Sequence, residues 1–198
     1  LNPKPVTELV FQSPFECLIA VLLSAQSTDI QVNKVTAKLY AQANTPQQIL
    51  DMGEAQLIHF IKHIGLFRNK AKHIMATCQI LVDQYQGGIP RSRQALEMLP
   101  GVGRKTANVV LNVAYGEPTM AVDTHVFRVS HRIGLVKNKK TPLKTELALL
   151  KCIPKAFVHD AHHWLILHGR YICKARKPLC TECPIYDLCE FKKKTALS

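Results

Sequence analysis

The 198-residue sequence is 47% hydrophobic and 20% charged, a balance typical of a globular protein that excludes a disordered chain. Lysine and arginine number 26 against 14 aspartates and glutamates, and the formal net charge of +12 favours nucleic acid as partner, ahead of an anionic membrane surface or an inert basic surface. No apolar run approaches the length of about 18 residues that a transmembrane helix needs, and no signal peptide opens the sequence, so we expect a cytoplasmic protein.

Apolar residues recur at helical spacing almost throughout the sequence. Helices are predicted to begin, in chain order, near Pro14, at an N-cap Asp29, at an N-cap Thr45, before Ile74, near Gln94, at Arg104, at Asp123, at an N-cap Thr141 and near Asp160. Gly65 and Gly87 stand where glycine caps would end two of these helices. Because no segment alternates polar and apolar residues, the fold is predicted to be all-α, with a domain boundary in the turn-rich linker at 116–122.

A two-glycine turn between two predicted helices is the first candidate site. Gly101 and Gly103 permit a tight turn and the close approach of another backbone. The amides of the turn and of the next helix N-terminus would point outward together, and with the helix dipole behind them they form a phosphate site. An ordinary helix connection is the alternative, but Arg104 and the basic composition favour phosphate binding.

Lys105 and Asp123 are the candidate catalytic residues. Lys105 is predicted to lie in the first turn of a helix, where the dipole disfavours its charged form. A partly neutral amine is a nucleophile that can form a Schiff base, although a simple phosphate contact is the alternative. Asp123 is predicted to cap a helix and to stay ionised, so it could accept a proton or stabilise a developing cation.

The seven cysteines fall into two groups. Three stand alone in apolar helical contexts and are predicted to be core residues: Cys17, Cys78 and Cys152. Four lie close together near the C-terminus, where four thiolates could surround one metal centre: Cys173, Cys180, Cys183 and Cys189. Because only one close pair is present, an iron–sulfur cluster is favoured over a structural zinc ion, which usually has two close pairs.

The loop after the first of these cysteines is basic. Its three cations, Lys174, Arg176 and Lys177, would be held rigid by the metal and are candidate phosphate contacts. Two histidine pairs at helical spacing, one at positions 59 and 63 and one at 159 and 163, lack a third ligand in the sequence. They are predicted to be surface or packing residues.

Taken together, these motifs resemble the endonuclease III family of iron–sulfur DNA glycosylases and abasic-site lyases. The hairpin motif at 99–107, the segment 122–125 and the four-cysteine spacing carry the resemblance, which runs from Ser13 to Cys189. It implies an all-α, two-lobed helix–hairpin–helix DNA glycosylase fold with a six-helix barrel domain and a 4Fe–4S cluster domain.

The resemblance also implies domain limits. The barrel domain would span 7–117, with the helix–hairpin–helix at about 94–115. The cluster domain would combine 1–6 with 118–198.

Individual roles follow from the same resemblance. Lys105 would be the nucleophile and Asp123 its essential partner, and the four clustered cysteines would hold a 4Fe–4S cluster. A residue like Gln26 fills the gap left by the flipped nucleotide in such enzymes, and a residue like Leu66 wedges into the base stack. Ser27 stands where the family often has alanine.

The expected activity is the excision of oxidised pyrimidines through a lysine Schiff base, followed by β-elimination that cuts DNA 3′ to the abasic site. The expected partner is double-stranded DNA with a damaged pyrimidine or abasic site. No membrane is expected as a partner, and the protein is expected to be a monomer. An adenine glycosylase acting on mispairs with oxidised guanine is the nearest alternative, although it typically lacks the lysine. A non-enzymatic DNA-binding protein with a structural metal is the other.

Overall fold

The computed structural model describes residues 5–195, and the regular structure within that range is entirely helical, which confirms the all-α prediction. The helices in chain order are α1 (Pro14–Ser24), α2 (Asp29–Tyr40), α3 (Pro46–Ile61), α4 (Phe67–Tyr85), α5 (Arg93–Glu97), α6 (Arg104–Tyr115), α7 (Thr124–Arg132), α8 (Pro142–Cys152), α9 (Lys155–Tyr171) and a 3-10 turn (Cys180–Glu182). None of the helices in this part of the chain has both the length and the hydrophobicity that crossing a membrane requires.

The described chain divides into two compact units. The first unit, residues 7–116, contains α1 to α6. The second unit combines residues 5–6 with 117–195 and contains α7 to α9 and the 3-10 turn. The boundary lies within the linker at 116–122; the assignment of the units as barrel and cluster domains stays a prediction.

Side-chain caps explain where most helices begin. In six helices the residue before the first turn accepts an amide hydrogen through its side chain: Ser13, Thr28, Thr45, Ser92, Asp123 and Thr141. Each such cap contributes about 1 kcal/mol. At α2 the prediction of Asp29 as the cap is wrong, because the Thr28 hydroxyl accepts the Gln31 amide hydrogen. Asp29 is instead the first helical residue, where its negative charge suits the dipole.

Three helix details differ from the sequence prediction. Helix α3 ends before Gly65, so this glycine is not its C-cap. A kink that the sequence did not predict interrupts α3 at Gly53, whose φ of 79° is readily adopted by glycine. Helix α9 begins at Lys155, earlier than the predicted start near Asp160, because Pro154 has a fixed φ and leads directly into the first turn.

Helix α1 lies at the centre of the first unit. Leu18 and Leu23 are fully buried, and α1 packs against α2, α4 and α6, as expected for a helix that is apolar on every side. Cys17 and Cys78 belong to this core, and burial raises the pKa of both thiols to about 12, so the core prediction is confirmed for them. It is wrong for Cys152, which is exposed at the last residue of α8.

In the second unit, α7 packs closely against α9. A methyl group at Gly169 would lie 2.8 Å from the His125 Cβ atom and 3.1 Å from a methyl of Val129, so only glycine fits this crossing. The close contact fixes the first turn of α7, which follows Asp123.

Candidate functional site

The hairpin turn between α5 and α6 is held from α4. Gly101 has a φ of +77°, and a methyl group there would lie 2.8 Å from the Nδ1 atom of His73. The hydroxyl of Thr77 donates a hydrogen bond to the carbonyl oxygen of Pro100 at 3.1 Å. Position 101 therefore requires glycine for its conformation and for the space that His73 occupies.

Helix α6 begins without a side-chain cap. Gly103 occupies the N-cap position, and a Cβ atom built there would meet nothing within 4 Å. Gly103 and Lys105 are exposed, and Arg104 is partly exposed. The start of α6 therefore offers the positive end of its dipole and an open approach, with the exposed Lys105 in its first turn, an arrangement suited to a phosphate group.

The Asp123 carboxylate caps α7. One carboxylate oxygen accepts the amide hydrogens of His125 and Val126, both at 2.8 Å. The other oxygen lies 3.0 Å from the Nδ1 atom of His125. The predicted cap is thus confirmed, and the helix dipole and amides stabilise its negative charge. Sequence reasoning missed His125 as the partner that orients the carboxylate, although it lies in the same motif.

Lys105 lies in the first unit and Asp123 in the second. Their cooperation in one reaction stays a prediction.

The four clustered cysteines line one cavity of the second unit: Cys173, Cys180, Cys183 and Cys189. Apolar side chains, among them Ile133, Ile172 and Phe191, complete its wall. Among the described residues, no three histidine, cysteine or acidic side chains converge at the geometry of a single metal ion. Four thiols spread around one apolar cavity fit a multi-iron cluster better than a zinc ion.

The basic loop, residues 174–177, is braced by two arginines of α7. Arg132 donates hydrogen bonds to the carbonyl oxygens of Lys174 at 2.7 Å and Ala175 at 2.9 Å, and its guanidinium lies 4.4 Å from the ring centre of Phe191. Arg128 donates to the carbonyl oxygen of Cys173 at 3.1 Å. The peptide backbone of the loop is therefore tied to the helix that Asp123 caps.

These hydrogen bonds to the backbone leave the charged side chains of the loop in solvent. Lys174, Arg176 and Lys177 are all exposed, as a phosphate contact requires. Sequence reasoning missed Arg128 and Arg132, whose four-residue spacing on the helix after Asp123 was the available signal.

Gln26 and Leu66 are brought together within the first unit. Both are exposed and both have left-handed backbones, with φ values of 57° and 58°. A methyl group at Gly65 would lie 3.3 Å from the carbonyl oxygen of Gln26, so the two backbone segments lie close to each other. Of the two histidine pairs, His59 and His63 are exposed, whereas His163 packs inside the second unit.

Comparisons with known proteins agree with this geometry. The HhH-GPD superfamily of base excision DNA repair proteins matches residues 19–155, and the iron–sulfur binding domain of endonuclease III matches residues 173–189. Endonuclease III of Escherichia coli (strain K12) is 59% identical over 98% of this chain and 91% of its own length. Endonuclease III of Rickettsia conorii is 57% identical over 96% and 90%.

Solved structures give the same result. A trapped endonuclease III–DNA covalent intermediate has a TM-score of 0.89 and 50% identity, over 94% of this chain and 88% of that one. A thermostable thymine-DNA glycosylase has a TM-score of 0.85 and 26% identity, over 96% and 89%. The chain belongs to the HhH-GPD superfamily of base excision DNA repair proteins and, within it, to the endonuclease III family. Its activity is accordingly that of a DNA glycosylase and AP lyase, and its cofactor is a 4Fe–4S cluster.

Proposed function

We propose that this chain removes oxidised pyrimidines from double-stranded DNA with Lys105 as the nucleophile and Asp123 as its charged partner. The observation that carries the proposal is the exposed side chain of Lys105. Lys105 is the second residue of α6, a helix whose N-terminus has no side-chain cap. The likeness to a trapped endonuclease III–DNA covalent intermediate supports a reaction with a covalent step. The protein would act as a monomer on DNA.

DNA binding is proposed to use both units. In the first unit, the hairpin turn and the start of α6 would hold one phosphate through backbone amides, which do not discriminate between base sequences. In the second unit, Lys174, Arg176 and Lys177 would contact the DNA backbone. Cys173 and the other three clustered cysteines would hold the 4Fe–4S cluster, and their attachment to it would fix the ends of this loop.

The reaction begins when the damaged nucleotide is flipped out of the stack, at a cost of a few kcal/mol that is lowest for poorly stacked bases. Oxidised pyrimidines have lost their planarity and would be flipped most readily. Gln26 would fill the gap and Leu66 would separate the neighbouring bases.

Lys105 then attacks C1′ of the sugar, and the bond from C1′ to the base nitrogen breaks while the base takes up a proton. Asp123 would stabilise the cationic sugar, since its carboxylate is already fixed by two amides. The Lys105 nitrogen gives up a proton, the C1′–O4′ bond breaks as O4′ takes up a proton, and C1′ and the nitrogen are joined as a Schiff base. Loss of a C2′ proton from the Schiff base expels the 3′ phosphate by β-elimination, and water hydrolyses the remaining imine to free the Lys105 amine.

A substrate panel tests this proposal. Duplexes carrying one oxidised thymine, one abasic site, adenine opposite oxidised guanine, or no lesion would each be incubated with the protein, and products resolved with and without alkali. We expect strand cleavage without alkali on the first two duplexes only. Adenine release that needs alkali for cleavage would favour the adenine glycosylase alternative, and binding without any reaction would favour a DNA-binding protein.

A further inference from the structure

One lysine of the first unit is buried, in contrast to the exposed Lys105. Lys70 is 7% exposed and lies near the start of α4, where the helix dipole disfavours a cation. Burial lowers its pKa, because removing an ammonium from water has a free-energy cost. The contacts of this ammonium must offset that cost.

Those contacts are two carbonyl oxygens at the end of α1. The Nζ atom of Lys70 donates hydrogen bonds to the carbonyl oxygen of Leu23 at 2.8 Å and to that of Ala25 at 2.5 Å. The last turn of α1 contains no basic residue of its own. A cation there satisfies carbonyls that lack helical partners and interacts favourably with the dipole. Lys70 therefore caps α1 from a neighbouring helix.

The capped segment leads directly into Gln26. This residue has a left-handed backbone, which is unfavourable for a non-glycine residue and needs support from its surroundings. The Ala25 carbonyl held by Lys70 belongs to the peptide group that joins Ala25 to Gln26. One residue later, the Ser27 amide donates to the Ser24 carbonyl at 3.0 Å and closes the turn.

Leu66 is tied to the same lysine through the backbone. The Lys70 amide donates to the Leu66 carbonyl oxygen at 3.1 Å, in the first turn of α4. Leu66 is the N-cap of α4, has a φ of 58° and is 56% exposed. Lys70 thus bonds to the Gln26 segment with its side chain and to Leu66 with its main chain.

We propose that Lys70 is a positioning residue, whose buried ammonium holds Gln26 in register with Leu66 so that both side chains can enter the base stack. This inference rests on the proposed function, which gives Gln26 and Leu66 their roles on DNA. Lys70 touches neither DNA nor the reacting atoms and acts only through the conformations of the two exposed residues.

Hydrogen exchange tests the positioning without DNA. Lys70→Met removes the ammonium, Lys70→Arg keeps a positive charge, and Lys72→Met removes an exposed lysine from the same helix as a matched control. We expect the Ser27 amide to exchange at least about tenfold faster in Lys70→Met, the scale of one lost hydrogen bond to a charged group, while core amides of α1 exchange unchanged. Unchanged exchange at Ser27 would overturn the inference.

Kinetics on two DNA probes test its consequence. On a duplex with one oxidised thymine, we expect kcat/KM of Lys70→Met to fall by about ten- to a hundredfold. On a single-stranded oligonucleotide with one abasic site, which has no paired stack to open, the rate should stay within about twofold of wild type. Lys70→Arg should recover part of the duplex activity. Equal losses on both probes would contradict a positioning role.

Two further variants keep the inference open to disproof if Lys70→Met fails to fold. Gly65→Ala would push on the Gln26 carbonyl oxygen without burying or removing a charge, and should give the same selective loss on the duplex. The double variant Gln26→Ala/Lys70→Arg should lose less kcat/KM on the duplex than the combined losses of the two single variants. The reason is that both substitutions act through the Gln26 side chain. A wild type inactive on both probes would overturn the proposed function instead, and hydrogen exchange would still decide whether Lys70 holds the segment.

Discussion

Two helix N-termini carry the residues of the proposed reaction, and they are built in opposite ways. Helix α6 follows Gly103, which has no side chain to cap it and leaves open space where a Cβ would be. Helix α7 follows Asp123, whose carboxylate accepts two amide hydrogens and faces the ring of His125. The first terminus offers its dipole to a ligand, whereas the second uses its dipole to hold its own carboxylate.

The difference teaches that one physical feature serves two purposes. The positive end of a helix attracts an external phosphate when no side chain competes, and it fixes an internal anion when one does. At α6 the outcome is binding; at α7 it is orientation of a charged group. The contrast lies in a single residue at each N-cap.

Replacing the carboxylate at α7 should have the largest effect. Asp123→Asn keeps an amide oxygen that caps a helix about as well, so the free energy of unfolding should change by less than about 0.5 kcal/mol. The reaction should slow by about a hundredfold or more, because the charge that stabilises the sugar cation is lost. Single-turnover rates and thermal unfolding measure the two effects.

Thr141→Ala, which removes an ordinary cap from α8, is the matched control for stability. Thr141→Ala should lower the free energy of unfolding by about 1 kcal/mol and leave the single-turnover rate unchanged. If Asp123→Asn retained the full rate, Asp123 would be only a cap.

A methyl group at the turn before α6 should have the next largest effect. Gly101→Ala makes an alanine adopt a backbone φ of +77° and places its methyl group against His73. We therefore expect a loss of about 1–2 kcal/mol in the free energy of unfolding. Denaturant unfolding measures this loss. A change within error would mean that the turn adjusts easily and does not fix the start of α6.

Supplying α6 with a cap would make the two termini alike. Gly103→Ser should stabilise the protein by a few tenths of a kcal/mol at most. It should weaken DNA binding by about tenfold, because the hydroxyl competes with phosphate for the same amides. Titration of a duplex at fixed salt measures the affinity. Gly103→Ala fills the same space without capping, so an equal loss in both variants would point to bulk and not to competition.

The smallest effect is expected beside the capped start of α2. Among the described residues, the buried hydroxyl oxygen of Ser27 has no hydrogen-bond partner, in contrast to the neighbouring cap Thr28. Ser27→Ala should therefore be neutral or stabilising by up to about 1 kcal/mol, since it removes an unsatisfied polar group. Thr28→Ala is the control and should destabilise by about 1 kcal/mol. A destabilised Ser27→Ala would contradict the contacts seen here.

Local signals made most of the fold predictable. A Ser, Thr or Asp before a helical pattern directly identified the starts of α3, α7 and α8, and the helical spacing gave an all-α fold. Thr28 and Asp29 are adjacent residues of types that can cap a helix, and the prediction placed the cap at Asp29, one residue too late. The kink at Gly53 and the exposure of Cys152 depend on how helices pack, which periodicity does not describe.

The site was predictable where residues lie close together in the sequence. Gly101, Gly103 and Lys105 fall in one motif, and the clustered cysteines share one loop region. Lys70 and Arg132 were missed because their partners are distant in sequence and are backbone carbonyls, which leave no pattern of side chains to detect.

Borohydride trapping on a duplex with one oxidised thymine tests the central claim most directly. Wild type, Lys105→Ala and Lys72→Met would be compared side by side after checking that each protein is folded and carries its cluster. We predict a covalent protein–DNA band in wild type and Lys72→Met that is absent in Lys105→Ala. A band that persists in Lys105→Ala, or base release by wild type with no band at all, would contradict the assignment of Lys105 as the nucleophile.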